Sequence, residues 1–219
     1  MKKFFFTIGL AIAISYFIPS VAYSFNVETR SDGGAIKWED NAATFLVNTT
    51  DGPSFALSAI QAAMDNWTNA GADFAYSYGG STTSTKSNDG QNTVFFGDPS
   101  GSLIGEATYF YDSSGFITDC DIEIDESFSW TETYLEDLAT HEFGHCLPLG
   151  HESGSVTMNA TVSAGARNLA QDDIDGIIAI YGAYTGIPTM NEWGMIIFTI
   201  FAGGLAVRHL RKEARLQFR

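Results

Sequence analysis

Positive charge is scarce in this chain. Its 219 residues carry 11 Lys and Arg against 26 Asp and Glu, a formal net charge of −15. That balance excludes nucleic acid and anionic lipid as partners of the folded part, because both are polyanions. Charge of either sign is modest at 17%, too little for a disordered polyelectrolyte, while 45% hydrophobic and 14% aromatic residues leave ample material for a buried core. Coiled coil and collagen are excluded by the same composition. No apolar run reaches the roughly 20 residues that span a bilayer comfortably. Cysteine and histidine are rare too, at two and four residues, so where they stand carries weight.

The two ends separate from the middle. Met1-Lys2-Lys3, an apolar stretch from Phe4 to Ile18 and the small-x-small site Ala22-Tyr23-Ser24 have the layout of a secretory signal peptide cleaved after Ser24. Export follows. At the other end Ile187-Pro188-Thr189-Met190-Asn191-Glu192-Trp193-Gly194 precedes an apolar run from Met195 to Val207 and a tail with Arg208, Arg211, Lys212, Arg215 and Arg219. This resembles the tripartite IPTL-type C-terminal sorting signal of Gram-negative bacteria, with Met190 where that motif usually has Leu. The resemblance implies transient retention in the membrane, processing by sorting machinery there, and delivery to the surface or medium; a plain membrane tail is the alternative. Three segments result: 1–24, 25–186 and 187–219. The middle one is of single-domain length. It holds four basic residues, Arg30, Lys37, Lys86 and Arg167, against 24 acidic ones, a self-repelling excess that bound calcium or a saline habitat would ease.

Along the core, Ala43–Val47, Phe74–Tyr78, Thr93–Phe96 and Glu106–Tyr111 read as strands, and Gly79–Asn92 as a surface loop. Leu57, Ile60, Met64 and Trp67 recur at helical spacing after the turn Asp51-Gly52-Pro53-Ser54, with Gly71 as the C-terminal stop. In the strand Asp119–Asp125, Asp119, Asp121, Glu123 and Asp125 alternate with Cys120, Ile122 and Ile124, so one face is acidic and the other faces the core. A final helix carries Ile174, Ile177, Ile178 and Tyr181, with Asp172 and Asp173 in its first turn, where the dipole favours negative charge. Strands and one helix first, two helices last, make the fold α+β.

Chemistry concentrates between those elements. A capping-box pattern, Thr133-Tyr134-Leu135-Glu136, opens a helix that runs into His141-Glu142-Phe143-Gly144-His145-Cys146-Leu147-Pro148-Leu149-Gly150-His151. His141 and His145 lie one turn apart, so both imidazoles leave one helix face towards one metal. Neutral imidazole suits zinc, whose catalytic sites take three protein ligands and one water. Glu142 would flank that water, take its proton and return it to a leaving amine. Three of the four histidines fall within these eleven residues, which unrelated surface or core histidines would not do.

These residues resemble the metzincin metallopeptidases, whose signature is HExxHxxGxxH followed by a Met-turn. Met158, in Ser155-Val156-Thr157-Met158, stands where that turn would be, against the plainer reading of a core methionine. Within the group the chain is most similar to the matrixins, because Gln171-Asp172-Asp173-Ile174-Asp175-Gly176-Ile177 before Tyr181-Gly182 reads like their closing helix. The resemblance implies a twisted mixed sheet with an edge strand over the active-site cleft, three main helices, zinc on His141, His145 and His151, and an extended peptide substrate paired to the edge strand, here Glu106–Tyr111.

The chain departs from that pattern in three ways. The family glycine falls at Pro148, whose ring favours φ near −65° and resists a positive φ; the expectation is a helix ending near Leu147 and a turn made at Gly150. If His151 then fails to reach the metal, Glu152 or a later carboxylate must serve. No histidine is left for a structural zinc, since His209 lies in the tail; calcium could take oxygens from Asp119, Glu123, Asp125 and Glu126, against the alternative of a solvated acidic face. No upstream cysteine or pro-segment is present to impose latency. Cys120 shares a strand face with Ile122 and Ile124, and Cys146 lies opposite the histidine face of its helix. A disulfide between them is expected in an exported protein, two buried thiols being the alternative. The functional expectation is a zinc endopeptidase, with an inactive zinc-binding adhesion domain and an HExxH peptidase with an acidic third ligand as the alternatives. Oligomeric state leaves no trace in the sequence.

Overall fold

A computed structural model describes residues 25–154 and 157–184, with isolated positions 198, 200, 201 and 208. The leader, the sorting signal, and Ser155 and Val156 lie outside the described residues. Five strands and three helices follow in the order β1 (Ala42–Val47), α1 (Ala56–Thr68), β2 (Ala75–Ser81), β3 (Thr93–Gly97), β4 (Gly105–Tyr111), β5 (Ile117–Asp125), α2 (Glu132–His145) and α3 (Gln171–Tyr181). The sheet runs β2-β1-β3-β5-β4. β1 pairs in parallel with β2 and β3, β3 in parallel with β5, and β4 lies antiparallel to β5 at the edge. This is the expected α+β architecture with a mixed sheet and three helices. Among the described residues no helix is long and apolar enough to cross a membrane.

Alternation and helical spacing explain the core. Phe45 and Val47 of β1, Val94 of β3, and Cys120, Ile122 and Ile124 of β5 are buried with Ile60, Met64 and Trp67 of α1 and Leu135, Leu138 and Phe143 of α2. Phe45, Tyr76 and Phe143 meet edge to face and tilted, with centroids 4.9–5.6 Å apart, a geometry that their quadrupoles favour.

Three buried donors hold α2 on that core. Trp67 Nε1 donates to Thr140 O at 2.8 Å, Tyr76 Oη to Phe143 O at 2.8 Å and Trp38 Nε1 to Cys146 O at 2.9 Å. At about 100° per residue, positions 140, 143 and 146 centre on the side of the helix opposite His141 and His145. The clamp therefore sets the rotation of α2 and aims both histidines outwards.

Several expectations are corrected. The α2 N-cap is Thr131, whose side chain accepts from Tyr134 N, two residues before the capping box read at Thr133. The acidic face of β5 is covered, with Asp119 and Asp121 almost fully buried. The segment read as a surface loop supplies the cover. Asp89 N and Gly90 N both donate to Asp119 Oδ2 at 2.8 Å, and Ser87 N and Thr93 N donate to Asp121 at 2.8 and 3.0 Å. Buried carboxylates need such donors, and the loop backbone with the first residue of β3 provides them, leaving Asp119 Oδ1 without a hydrogen bond. A Cys120–Cys146 disulfide, with Cα atoms 6.0 Å apart, ties the centre of β5 to the end of α2 as expected.

Candidate metal centre

α2 presents His141 and His145 one turn apart, and the chain beyond it returns His151 to the same point. The three Nε2 atoms form a nearly equilateral triangle, with separations of 3.1 Å (His141 to His145), 3.1 Å (His145 to His151) and 3.2 Å (His151 to His141). Three nitrogens each about 2.0–2.1 Å from a shared tetrahedral ion would lie roughly 3.3 Å apart, so the spacing fits zinc. It is the one group of three or more metal-type ligands among the described residues.

The outer ring nitrogens fix the tautomers. His141 Nδ1 donates to Thr157 O at 2.6 Å and His145 Nδ1 to Leu149 O at 2.8 Å, leaving each Nε2 as a lone pair facing the centre. Burial, reinforced at His141 by neighbouring His145 and at His145 by His151, lowers both imidazoles to about 4. Both are therefore neutral and competent as ligands at physiological pH.

The turn that returns His151 is not the expected one. Pro148 stands at the position of the family glycine, and Gly150 takes no positive φ. The loop is held by backbone hydrogen bonds on both sides of Pro148. Leu147 N and Leu149 N both donate to Gly144 O, Glu28 N donates to Pro148 O at 2.8 Å, and Gly150 N donates to Asn26 O at 2.8 Å. Leu147 and Leu149 are buried on either side. The strand-like segment 25–29 thus braces the third histidine's loop, and Asn26 Nδ2 adds a 3.4 Å bond to His151 O. Glu152, the alternative third ligand, instead accepts from Ser153 N and Oγ.

Glu142 projects into a cleft of about 430 Å³ between α2, the start of β4 and residues 160–162, which His141, His145 and His151 also line. Only 4% of Glu142 is exposed. Burial raises its carboxyl to about 8, opposed by a hydrogen bond from Ala107 N and helped by the charge of Glu106. Gly105 permits this approach of the edge strand, since a Cβ there would stand 2.8 Å from Glu142 Oε1. Glu106 is paired with Lys86 at 2.9 Å.

Met158 is buried, and a side chain at Gly144 would run into its Sδ and Trp67. Asp173, expected only to favour the α3 dipole, does more. Its Oδ1 accepts from Met158 N at 3.3 Å and its Oδ2 from Ala170 N at 2.9 Å, joining α3 to Met158. The acids suggested for calcium are not gathered. Asp119 is taken up by the covering loop, Asp125 accepts from Ser127 N and Oγ, and no metal-type group of three forms from Asp119, Glu123, Asp125 and Glu126.

Sequence reasoning missed Thr157 O and Leu149 O as the partners that orient the histidines, because backbone carbonyls leave no residue signal. It also missed Asp137, buried on α2 between Leu135 and Leu138. An acid in an apolar helical stripe, with Arg167 the one cation of the core beyond the motif, was the available sign.

Comparison with known proteins agrees with this geometry. The family described as Matrixin matches residues 37–182, well over half of the chain. Interstitial collagenase of Bos taurus is 32% identical over 167 residues, 66% of this chain and 33% of the relative. Interstitial collagenase of Oryctolagus cuniculus is 43% identical over 68 residues, 28% of this chain and 14% of the relative. Metalloendoproteinase 1 of Glycine max is 51% identical over 51 residues, 22% of this chain and 17% of the relative. The matches cover a third or less of these relatives' own lengths.

Proposed function

Because the chain belongs to the matrixin family, we propose that it is a zinc-dependent endopeptidase, with His141, His145 and His151 as the metal ligands and Glu142 as general base. The observation that carries this reading is the equilateral Nε2 triangle beside a buried carboxyl in an open cleft. A zinc ion held there supplies Lewis acidity towards a carbonyl and acidity to a bound water. The residues of the chain do the rest. Glu142, pushed towards its neutral form by burial, takes a proton from water at its carboxylate and holds it for the departing amine. The free edge of β4 offers its backbone to an extended peptide, which aligns one carbonyl over the cleft by strand addition. Peptide or protein is therefore the substrate class. A purely structural zinc site has no use for a buried general base, which speaks against the adhesion-domain reading.

The leader ending at Ser24 and the tail from Ile187 support export and delivery to the cell surface or medium, with processing machinery at the membrane as a partner. Met158 serves as the floor of the metal site, and the Cys120–Cys146 bond suits an oxidising compartment.

The test combines zinc content with cleavage of casein or gelatin by the wild type, Glu142→Ala and His151→Ala. Stoichiometric zinc with cleavage in the wild type alone is expected. Zinc without cleavage in any of the three would favour the adhesion domain, and a fully active His151→Ala would favour an acidic third ligand.

A further inference from the structure

A second recess, of about 510 Å³, adjoins the cleft across the histidines and is lined by Glu28, Tyr109 and Tyr111 together with Ala107, His145 and His151. Residues 160–162 take no part in it. Glu28 belongs to the segment that braces the third histidine's loop, and the bond from its N–H to Pro148 O at 2.8 Å fixes its backbone beside the metal centre. Tyr109 Oη donates to Glu28 Oε2. Burial, with that carboxylate as the second cause, raises the Tyr109 phenol well above its ordinary range, so it stays a donor. Among the described residues Glu28 Oε1 has no partner, and no cation stands within ion-pair distance of Glu28. No lysine or arginine lines the recess, and Arg30, two residues on, is taken up by Asp32. The rings of Tyr109 and Tyr111 lie 6.3 Å apart, with Tyr111 exposed. A carboxylate without a cation beside two aromatic rings suits a guanidinium or ammonium group, which both the charge and the ring quadrupoles attract.

We propose that Glu28 is a specificity-determining residue: with Tyr109 and Tyr111 it receives a cationic side chain of the substrate, arginine or lysine, two or three residues before the cleaved bond. The position follows from β4. Its Gly105–Ala107 end lies against Glu142, to which Ala107 N donates, and its Tyr109–Tyr111 end lies against Glu28. A peptide that joins this edge antiparallel, the more stable pairing, lays its N-terminal half along Tyr109–Tyr111. At about 3.3 Å per residue Tyr109 stands roughly 7 Å beyond Ala107, two residues further along the added strand. The other acid of the edge, Glu106, is already paired with Lys86, which leaves Glu28 as the carboxylate that meets a substrate cation.

The place of the cation relative to a cleaved bond rests on the endopeptidase reading; the affinity of the recess for a cation does not. The zinc-loaded protein is assayed with peptides that differ only in carrying arginine or citrulline, its neutral and nearly isosteric analogue, at each of the three residues before the cleaved bond. At the second or third of these the ratio of kcat/KM for arginine over citrulline is about fivefold, the scale of an exposed ion pair with a ring contact. In Glu28→Gln, which keeps the backbone bond to Pro148 and an oxygen for Tyr109, that ratio falls below about twofold. Salt at about 0.5 M lowers it likewise in the wild type and serves if Glu28→Gln does not fold. No arginine preference at either residue, a ratio that survives in Glu28→Gln, a loss shared equally by both peptides, or a ratio indifferent to salt overturns the proposal. Binding of the same peptides to zinc-loaded Glu142→Ala, read by fluorescence anisotropy, is independent of catalysis: Kd is about fivefold lower with arginine, and the difference vanishes when Glu28→Gln is added. A wild type that cleaves neither peptide while this binding difference holds refutes the endopeptidase reading and leaves the cation recess standing. Cleavage without any arginine preference does the reverse.

Discussion

Breaking the Cys120–Cys146 bond probes how the histidine helix is held to the sheet. The bond closes a loop with a sequence separation of 26 and joins two fully buried positions, the centre of β5 and the C-cap of α2. In the chain-entropy description, closing a loop of that size removes about 12 cal/mol/K from the unfolded ensemble, or about 3.5 kcal/mol at 25 °C. Reducing the native protein, rather than replacing the cysteines, keeps both sulfurs in the core and avoids a cavity contribution. Urea denaturation of oxidised and reduced protein, both with metal removed by chelator, should therefore differ by about 3.5 kcal/mol. With a slope of about 2 kcal/mol/M, that is a midpoint shift of roughly 1.7 M. The slope itself should rise on reduction, because an uncrosslinked unfolded chain exposes more surface. The donors from Trp67, Tyr76 and Trp38 still grip α2 after reduction, so the reduced protein should bind zinc within about threefold of the oxidised affinity. A stability loss below about 1 kcal/mol, or an unchanged slope, would refute the unfolded-state account. A collapse of zinc affinity would show that the bond, and not the three donors, holds the helix.

Three further outcomes are expected. In metal-free protein Glu142 has a folded value near 8 against about 4.3 unfolded. The unfolded state releases its proton first, so the wild type should lose stability relative to Glu142→Gln as pH rises from 5 to 8; parallel curves by thermal denaturation would contradict the burial of this carboxyl. Replacing Gly144 by Ala should destabilise by about 2 kcal/mol or more and weaken zinc binding, although an exposed helix would gain about 1 kcal/mol from the same change, because the new methyl meets Met158 and Trp67; a stabilised variant would show that Met158 packs elsewhere. Chelation should lower the thermal midpoint, and zinc at about 100 times its Kd should restore about 2.7 kcal/mol, with no recovery in His141→Ala.

Much of this protein was legible without coordinates wherever the physics is local. Alternation in β1, β3 and β5 and the 3.6-residue spacing in α1 and α3 report which face is buried, and those elements stand within a residue or two of where the pattern puts them. The i, i+4 histidines lie on one helix face by geometry alone, and the phases of Cys120 and Cys146 pointed to one core. What required the tertiary structure were the interactions between segments distant along the chain. The loop that returns His151 is placed by segment 25–29, far away in sequence, which pairs with it on either side of Leu149. The alternating acids of β5 read as calcium ligands or as a wet face, yet a passing loop turns its amides towards Asp119 and Asp121 and covers these two. The spacing around Asp137 and Asp173 does not name their partners at 165–167 and 158, which are chosen by packing. Local periodicity is set by covalent geometry and burial and is written in neighbouring residues, whereas the orientation of a ligand or the pinning of a loop depends on which distant backbone groups the folded core happens to leave in reach.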